Sequence, residues 1–414
     1  MSDDTFLIEM TGMAHGGSAL GRHEERVVFI PYTIPGEIVE ARLTEIRGRV
    51  AFAEGIRLED ASADRVFPRC PHFGPGRCGR CQWQHIDYAA QLLLKQDVLA
   101  DQLERIGGFD DIDIRAIIPS PEQWGYNYHM TLYINEQGRP GYMSTEPGIV
   151  MPIDECHIIH PELLALLLSI DLDFSGLSHF KLQLGTDGHH MLILYVKDED
   201  DAPELSADIP TSVNLILPDN EPVNLIGESH CRYMVGGHAF RVTAGSDFRA
   251  NVAQIDRLAT TVLDLLNPAA DAAVLDLYAG VGLFSAFLAE RVELVTLVES
   301  YPPAVTDADE NLAGYDNIDL VEGTVADVLD EMEPGAYDAA VLDPTSEGLT
   351  TDVLDQLGEL AIPRLVYVSS DPATLARDAK RLAAHGYRLD SVQPIDLNPQ
   401  TYYIDSVAAF TYGA

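Results

Sequence analysis

A glycine-bearing turn between an apolar segment and a helical one constrains the fold of this chain more than any other feature. Residues 272–277 predict a short buried strand, and Phe284 to Arg291 predicts a helix. Between them, Gly280 and Gly282 allow the backbone to turn tightly beside a ligand. A strand, a glycine turn and a helix in this order predict the start of a parallel α/β sheet.

The residues around this turn indicate a nucleoside ligand. A second apolar strand, Leu294 to Val298, ends in Glu299, whose carboxylate can accept hydrogen bonds from both ribose hydroxyls. The spacing from Asp276 through the two glycines to this acid fits S-adenosylmethionine better than a dinucleotide. Ser285 stands near the place of the third glycine of the dinucleotide fingerprint. The alternative is a strand-to-helix turn that binds nothing.

The C-terminal part, 246–414, alternates strands and helices after a helix at Asn251 to Leu266. Parallel strands are predicted at 272–277, 294–298, 318–322, 338–342 and 365–369. Their carboxyl ends, where a doubly wound sheet binds its ligand, carry Asp276, Glu299, Asp343 and the pair Ser369-Ser370. Two later strands, Leu389 to Pro394 and Tyr402 to Phe410, are predicted to close the sheet as an antiparallel pair.

The N-terminal part predicts two smaller domains. Residues 1–60 contain five short strands separated by glycine turns, which predicts a small barrel of the oligonucleotide-binding kind. The stretch Met-Ala-His-Gly-Gly-Ser-Ala-Leu-Gly-Arg in it resembles the TRAM domain, an RNA-contacting barrel. Residues 61–245 predict an α+β domain with helices at Tyr88 to Ile106 and Pro161 to Ser169. Its acidic run, Asp198 to Asp201, is predicted to be a solvated loop tip.

The cysteine spacing predicts a metal site. Cys70, Cys78 and Cys81 lie close together in an irregular stretch rich in proline and glycine, and Cys156 can supply a fourth thiolate from a distant loop. Four thiolates fit either tetrahedral zinc or a [4Fe-4S] cluster. Unligated thiols are the alternative. Cys231 stands alone and is predicted to be an ordinary half-buried thiol.

The sequence predicts a cytoplasmic protein with an acidic surface, and we expect it to be a monomer. No apolar run approaches the roughly 18 residues that span a membrane. With 26 basic and 66 acidic residues, the net charge is −40, whereas a nucleic-acid-binding protein is expected to carry a basic face. Either the acidity is an adaptation to a salty cytoplasm, or the partner is not a nucleic acid.

Across essentially the whole chain, these motifs resemble the RNA uracil-C5 methyltransferase family. Its members join a TRAM barrel, an iron-sulfur central domain and a class I methyltransferase domain. The resemblance implies S-adenosylmethionine as methyl donor, rRNA or tRNA as partner, and a [4Fe-4S] cluster on Cys70, Cys78, Cys81 and Cys156. It places the cofactor against Arg249, Asp276, Tyr278, Gly280, Gly282, Glu299 and Asp343.

The catalytic positions depart from the family pattern. The family's cysteine adds to C6 of uracil, which activates C5 for methylation, and a carboxylate then removes the C5 proton. Here Ser370, in Ser-Ser-Asp-Pro, stands at the cysteine position of Ser-Cys-Asn-Pro, and Asp405 stands at the position of the glutamate base. A serine is a far poorer nucleophile than a cysteine unless a base activates it.

Other substitutions fall on the same side of the pocket. Arg249 replaces a glutamine, Asp343 is kept while the arginine of Asp-Pro-Pro-Arg is lost, and 126–129 lacks the basic residues of the family. Two functions follow as hypotheses. The protein is a methyltransferase for RNA or another acceptor, with Asp343 and Asp405 as its carboxylates, or it is a non-catalytic module that binds S-adenosylmethionine.

Overall fold

The computed structural model describes residues 5–170, 176–198 and 211–413. The strands are β1 (Phe6–Met13), β2 (Ala19–His23), β3 (Arg26–Ile30), β4 (Ile38–Arg47), β5 (Val50–Asp60), β6 (Asp113–Ile114), β7 (His129–Ile134), β8 (Pro140–Met143), β9 (Val150–Pro152), β10 (Leu177–Leu184), β11 (His190–Val196), β12 (Ser212–Ile216), β13 (Pro222–Ile226), β14 (His230–Val235), β15 (His238–Thr243), β16 (Ala273–Leu277), β17 (Leu294–Glu299), β18 (Ile318–Glu322), β19 (Ala339–Leu342), β20 (Arg364–Ser369), β21 (Tyr387–Ile395) and β22 (Asp405–Tyr412). The α-helices are α1 (Tyr88–Gln102), α2 (Pro161–Ser169), α3 (Val252–Leu266), α4 (Leu283–Ala289), α5 (Pro302–Leu312), α6 (Val325–Asp330), α7 (Thr351–Leu360) and α8 (Pro372–Ala384).

The first five strands form a closed barrel in the order β1, β2, β3, β5, β4. Alternate residues of each strand point inward, and the barrel core combines large residues such as Ile8, Met10 and Ile30 with the small residues Ala41 and Ala51. Mixing large and small side chains fills the narrow interior of such a barrel. The predicted N-terminal barrel is confirmed.

The central part contains a seven-stranded sheet in the order β13, β12, β11, β10, β7, β8, β9. On one face, Leu163 and Leu167 of α2 pack in a core with Phe180 and Leu182 of β10, whereas Ile193 on the other face packs in the core of the C-terminal part. The predicted helix at α2 is confirmed. The short strands β8, β9 and β13 and the hairpin β14–β15 were not predicted. The acidic run 198–201 lies, after its first residue, outside the described residues.

The C-terminal part is an eight-stranded sheet in the order β18, β17, β16, β19, β20, β22, β21, β6. The five strands from β18 to β20 are parallel, and β22 is antiparallel to both neighbours. The order reverses at β16, which has β17 on one side and β19 on the other, so the crevice for a ligand lies at its carboxyl end. The predicted α/β class is confirmed. No helix in the described parts of the chain is long and apolar enough to cross a membrane.

The first helix belongs structurally to the C-terminal sheet. Val98, Leu99 and Leu103 pack in the same core cluster as Leu277 of β16, and β6 pairs with β21. The helix predicted to run to Ile106 changes at Leu103 into a π-helical turn, Leu103–Gly107. The predicted domain boundaries at residues 60 and 245 stay a prediction. Residues 88–114 lie within the predicted central domain but pack against the C-terminal sheet.

Candidate functional site

The turn after β16 is closed by the carboxylate of Glu299. The backbone N–H of Gly280 donates a hydrogen bond to Glu299 Oε2 (2.8 Å), and Oε1 accepts two further backbone amides. Gly280 has φ +56° and a Cβ there would meet nothing within 4 Å, whereas a Cβ on Gly282 would lie 2.9 Å from Leu312 Cδ1. Gly280 therefore borders open space, and Gly282 allows the turn to pack closely against Leu312.

Asp276 on β16 is a buried carboxylate with one unpaired oxygen. Ser285 Oγ donates to Oδ2 (2.6 Å), and Oδ1 has no hydrogen-bond partner among the described residues. Burial raises the pKa of Asp276 to about 7, whereas the hydrogen bond from Ser285 acts to lower this pKa. Tyr278, two residues later, adopts a left-handed conformation with φ +63°. An unpaired acceptor and a strained backbone at the end of one strand are typical of a ligand site.

Arg249 and Asp343 form a bidentate ion pair. The two terminal nitrogens of the guanidinium donate to the two oxygens of Asp343, at 2.8 Å and 2.7 Å. Asp343 directly follows β19, and its N–H donates to the carbonyl of Leu277 at the end of β16 (3.2 Å). The arginine thus neutralises the carboxylate at the carboxyl ends of two central strands.

Ser370 and Asp405 are neighbours. The antiparallel register of β20 and β22 pairs Ser369 with Ser406, so one step further it brings the backbone of Ser370 opposite Asp405. Ser370 is half-buried. Within the described residues, no group forms a hydrogen bond with its hydroxyl.

Asp405 is a carboxylate suited to proton transfer near neutral pH. Its residue is 6% exposed, and burial raises its pKa to about 6, opposed by the charge of Arg249 and a hydrogen bond from Asn398 Nδ2 (2.9 Å). A base works best when its pKa lies near the working pH, because it is then both ionised and reactive.

The loop between β21 and β22, which leads to Asp405, is held by buried polar side chains. Lys95 Nζ donates to Asp396 Oδ1 (2.7 Å) and to the carbonyl of Asn398 (2.9 Å), and both side chains of this ion pair are fully buried. Gln91 Nε2 donates to Gln400 Oε1 (3.0 Å). The predicted start of the last strand at Tyr402 was wrong, since the strand begins only at Asp405. The preceding residues belong to the loop that these contacts hold.

Sequence reasoning missed these anchoring residues. Gln91 and Lys95 share the buried face of α1 with Val98 and Leu99. Polar residues at the helical spacing of an apolar face are the signal that could have identified them. Their partners, hundreds of positions away, carry no such signal.

The N-terminal barrel contacts the loop that carries Ser370. His15, between β1 and β2, lies with Nε2 3.0 Å from Asp371 Oδ2. The other oxygen of Asp371 accepts the backbone N–H groups of Ala373 and Thr374 (2.9 Å each) and so caps α8. The barrel therefore touches the residue next to the candidate catalytic serine.

The four cysteines predicted to bind a metal line one pocket. Cys70, Cys78, Cys81 and Cys156 surround it, and none forms a disulfide. Burial raises the pKa of each thiol, to about 12 for Cys156. Among the described residues, no three His, Cys, Asp or Glu side chains converge closely enough to hold a single metal ion. Cys231 is buried elsewhere, on β14.

Two family models match the chain. The TRAM domain model matches residues 4–56, and the "Methyltransferase small domain" model matches residues 251–359. These ranges coincide with the barrel and with the first half of the C-terminal sheet.

Relatives match over nearly the full length. An "Uncharacterized RNA methyltransferase" of Streptomyces avermitilis is 32% identical over 98% of both chains. A "23S rRNA (uracil(1939)-C(5))-methyltransferase RlmD" of Shewanella sediminis is 31% identical over 97% of this chain and 95% of that protein. The crystal structure of a Pyrococcus abyssi tRNA (uracil-54, C5)-methyltransferase in complex with S-adenosyl-L-homocysteine has the same fold, with a TM-score of 0.72, 22% identity and coverage of 98% and 99%. The chain belongs to the family of S-adenosylmethionine-dependent RNA uracil methyltransferases.

Proposed function

We propose that this protein transfers a methyl group from S-adenosylmethionine to an RNA base, with Asp405 as the general base and without a covalent enzyme–RNA intermediate. The observation that carries the proposal is a buried carboxylate, whose pKa is about 6, beside a serine whose hydroxyl forms no hydrogen bond within the described residues. This substrate class follows the uracil methyltransferases among the relatives.

The energetics disfavour Ser370 as a nucleophile. Addition to C6 would require the serine proton to move to Asp405, whose pKa is about 6. A hydroxyl group is a far weaker acid than a carboxylic acid, so this proton transfer is strongly uphill. A thiol with a pKa near 8.5 faces only a small fraction of that barrier.

An acceptor that needs only the loss of one proton fits the site better. A base nitrogen that carries a proton, such as the imide N3–H of uracil, is far more acidic than an alcohol. Asp405 takes this proton, the nitrogen lone pair forms a bond to the methyl carbon, and the carbon–sulfur bond breaks with its electrons on sulfur. The products are the methylated base and S-adenosylhomocysteine.

On the donor side, we infer that Glu299 accepts the ribose hydroxyls and that the open space at Gly280 receives the nucleoside. The unpaired oxygen of Asp276 and the half-buried ring of Tyr278 are available to the same ligand. Arg249, which pairs with Asp343, lies near Asp405, since its charge lowers the pKa of that carboxyl.

We also propose that Cys70, Cys78, Cys81 and Cys156 hold a [4Fe-4S] cluster. A single zinc ion requires four sulfurs about 2.3 Å from one point, whereas each cysteine of a four-iron cluster binds a different iron and the sulfurs lie further apart. Four cysteines around one pocket supply the four thiolates that such a cluster needs. Anaerobically purified protein should be brown and contain acid-labile sulfide. Cys156→Ser should lose this colour and Cys231→Ser should keep it, and a colourless protein with one zinc would refute the cluster.

The proposed reaction is tested with labelled S-adenosylmethionine and RNA from cells that lack the protein, followed by nucleoside analysis. Label should appear in an RNA nucleoside. Asp405→Asn should abolish the transfer, while Ser370→Ala should retain it within a few-fold. RNA that contains 5-fluorouridine traps the covalent route, so a stable adduct with this protein would contradict the non-covalent mechanism. Cofactor binding without any transfer would instead identify a non-catalytic module.

A further inference from the structure

One face of the seven-stranded sheet carries a row of aromatic rings. The opposite face is covered by α2, and the alternation of side chains directs Tyr133, His179 and Tyr195 away from it. His179 pairs with Tyr133 on one side and with Tyr195 on the other. Its ring lies 4.0 Å from that of Tyr195 and 5.7 Å from that of Tyr133, centre to centre. All three residues are partly exposed.

The outer end of this aromatic row is open. Tyr133 is 38% exposed, and its partner on β8 is Gly141. A Cβ on Gly141 would lie 1.9 Å from the carbonyl oxygen of Met151, so the packing of β8 and β9 requires glycine there. Because glycine has no side chain, the flank of the Tyr133 ring over β8 is left uncovered by its cross-strand neighbour.

A lysine without a partner lies two residues along the strand from His179. Lys181 is only 7% exposed, yet no described side chain or carbonyl forms a hydrogen bond or ion pair with its ammonium group. The chain has only four lysines. Burial lowers the pKa of Lys181, and the charge of Asp247 opposes this shift. A largely buried ammonium group without a protein partner is stabilised by a ligand that supplies an anion.

The row continues into the active site. His129 lies on the same face of β7 as Tyr133, four residues or about 13 Å away, and Thr131 between them pairs with Lys181. The ring of His129 lies with Nε2 3.0 Å from the carbonyl oxygen of Phe248, the residue before Arg249. This surface therefore connects the segment that carries Arg249 with the exposed ring of Tyr133.

We propose that this surface, formed by His129, Thr131, Tyr133, His179, Lys181 and Tyr195, binds the single-stranded RNA next to the target base. Lys181 contacts a phosphate and Tyr133 stacks on a base. Aromatic rings on a sheet face, together with a cation, are a common way to bind two or three unpaired nucleotides, and here the Tyr133 end of the face is exposed. The inference rests on the proposed function, because it names the RNA conformation that the same site takes.

Binding of a short unstructured RNA, measured by fluorescence anisotropy at several salt concentrations, tests the proposal without turnover. Tyr133→Ala should weaken binding by about 5- to 150-fold, the effect of losing one base–aromatic stack. Lys181→Met keeps the buried stem and removes the charge. It should lower the slope of log affinity against log salt by about 0.7, the contribution of one phosphate contact on a single strand. A purely structural role of Lys181 would leave this slope unchanged.

Matched controls are Tyr412→Ala, since Tyr412 is 37% exposed on the last strand, and Lys380→Met on α8, which is exposed. Both should bind RNA as the wild type does, and all variants should keep their affinity for S-adenosylmethionine. The proposal is overturned if Tyr133→Ala and Lys181→Met bind like the wild type, if the controls weaken binding equally, or if the wild type binds a duplex as tightly as the single strand. Methyl transfer by the wild type, measured separately, decides the proposed function.

Discussion

Replacing Asp405 by asparagine should stabilise the fold while it abolishes methyl transfer. The pKa of Asp405 is about 6 in the folded protein, against an ordinary value of 3.8. The folded state therefore binds this proton more tightly than the unfolded chain does. The ionised carboxylate lowers the free energy of unfolding by about 3 kcal/mol at pH 7, and this cost disappears as the pH falls from about 6 to 3.8. The substituted amide is neutral, and its oxygen can still accept the hydrogen bond from Asn398.

Urea unfolding of wild type and Asp405→Asn, from pH 4 to pH 8, measures this difference. The variant should be more stable by up to about 3 kcal/mol at pH 7 and nearly equal to the wild type at pH 4. Asp276, whose pKa is also raised, contributes equally to both proteins and cancels. The variant could instead be less stable at pH 7, or its gain in stability could be independent of pH. In either case the folded protein does not raise the pKa of Asp405, and its assignment as a base that works near neutral pH is wrong.

Three further changes are predicted. Glu299→Gln should weaken S-adenosylmethionine binding by about 10- to 150-fold in calorimetry, because it replaces a charged hydrogen-bond acceptor, whereas Glu293→Gln, on the exposed start of the same segment, should bind normally. Lys95→Met should lower the free energy of unfolding by about 3–5 kcal/mol, because it leaves Asp396 buried and unpaired. Adding Asp396→Asn to this variant should restore part of the lost stability. A lack of recovery would argue against the ion pair. Gly282→Ala should lower the free energy of unfolding by about 1–3 kcal/mol, because Gly282 has a positive φ and a Cβ there would contact Leu312. Gly314→Ala should change the free energy of unfolding little, because open space surrounds Gly314.

The sequence predicted those features that a short segment encodes. The apolar run before Gly280 specifies a buried strand, and the glycines specify a turn that only residues tolerant of positive φ can make. The position of Glu299 follows, because parallel neighbouring strands end at one edge of the sheet. The clustering of the cysteines was also predictable, since three of them lie in one irregular stretch.

The sequence could not predict contacts that join distant segments. Lys95 meets Asp396 across 301 positions, and His15 meets Asp371 across 356. Each residue alone is typical of an exposed surface, because charged residues are rarely buried without a partner and the partner is not identifiable from local pattern. The strand predicted at Tyr402 failed for the same reason, since the side chains that hold the loop 396–401 come from α1 and α3.

The net charge of −40 does not decide whether the protein binds RNA, because RNA binding depends on where individual cations lie. Exposed arginines such as Arg42 and Arg381 lie in ion pairs with glutamate or aspartate and contribute little net field. Lys181, which is largely buried on the surface proposed to bind RNA, has no such partner in the described parts of the chain. A repulsive surface acts over the Debye length, which is about 10 Å at 0.1 M salt and about 3 Å at 1 M, whereas a contact between a buried cation and a phosphate is screened much less. High salt should therefore remove more of the repulsion than of the local attraction, so an acidic surface and an RNA substrate are compatible in a salty environment.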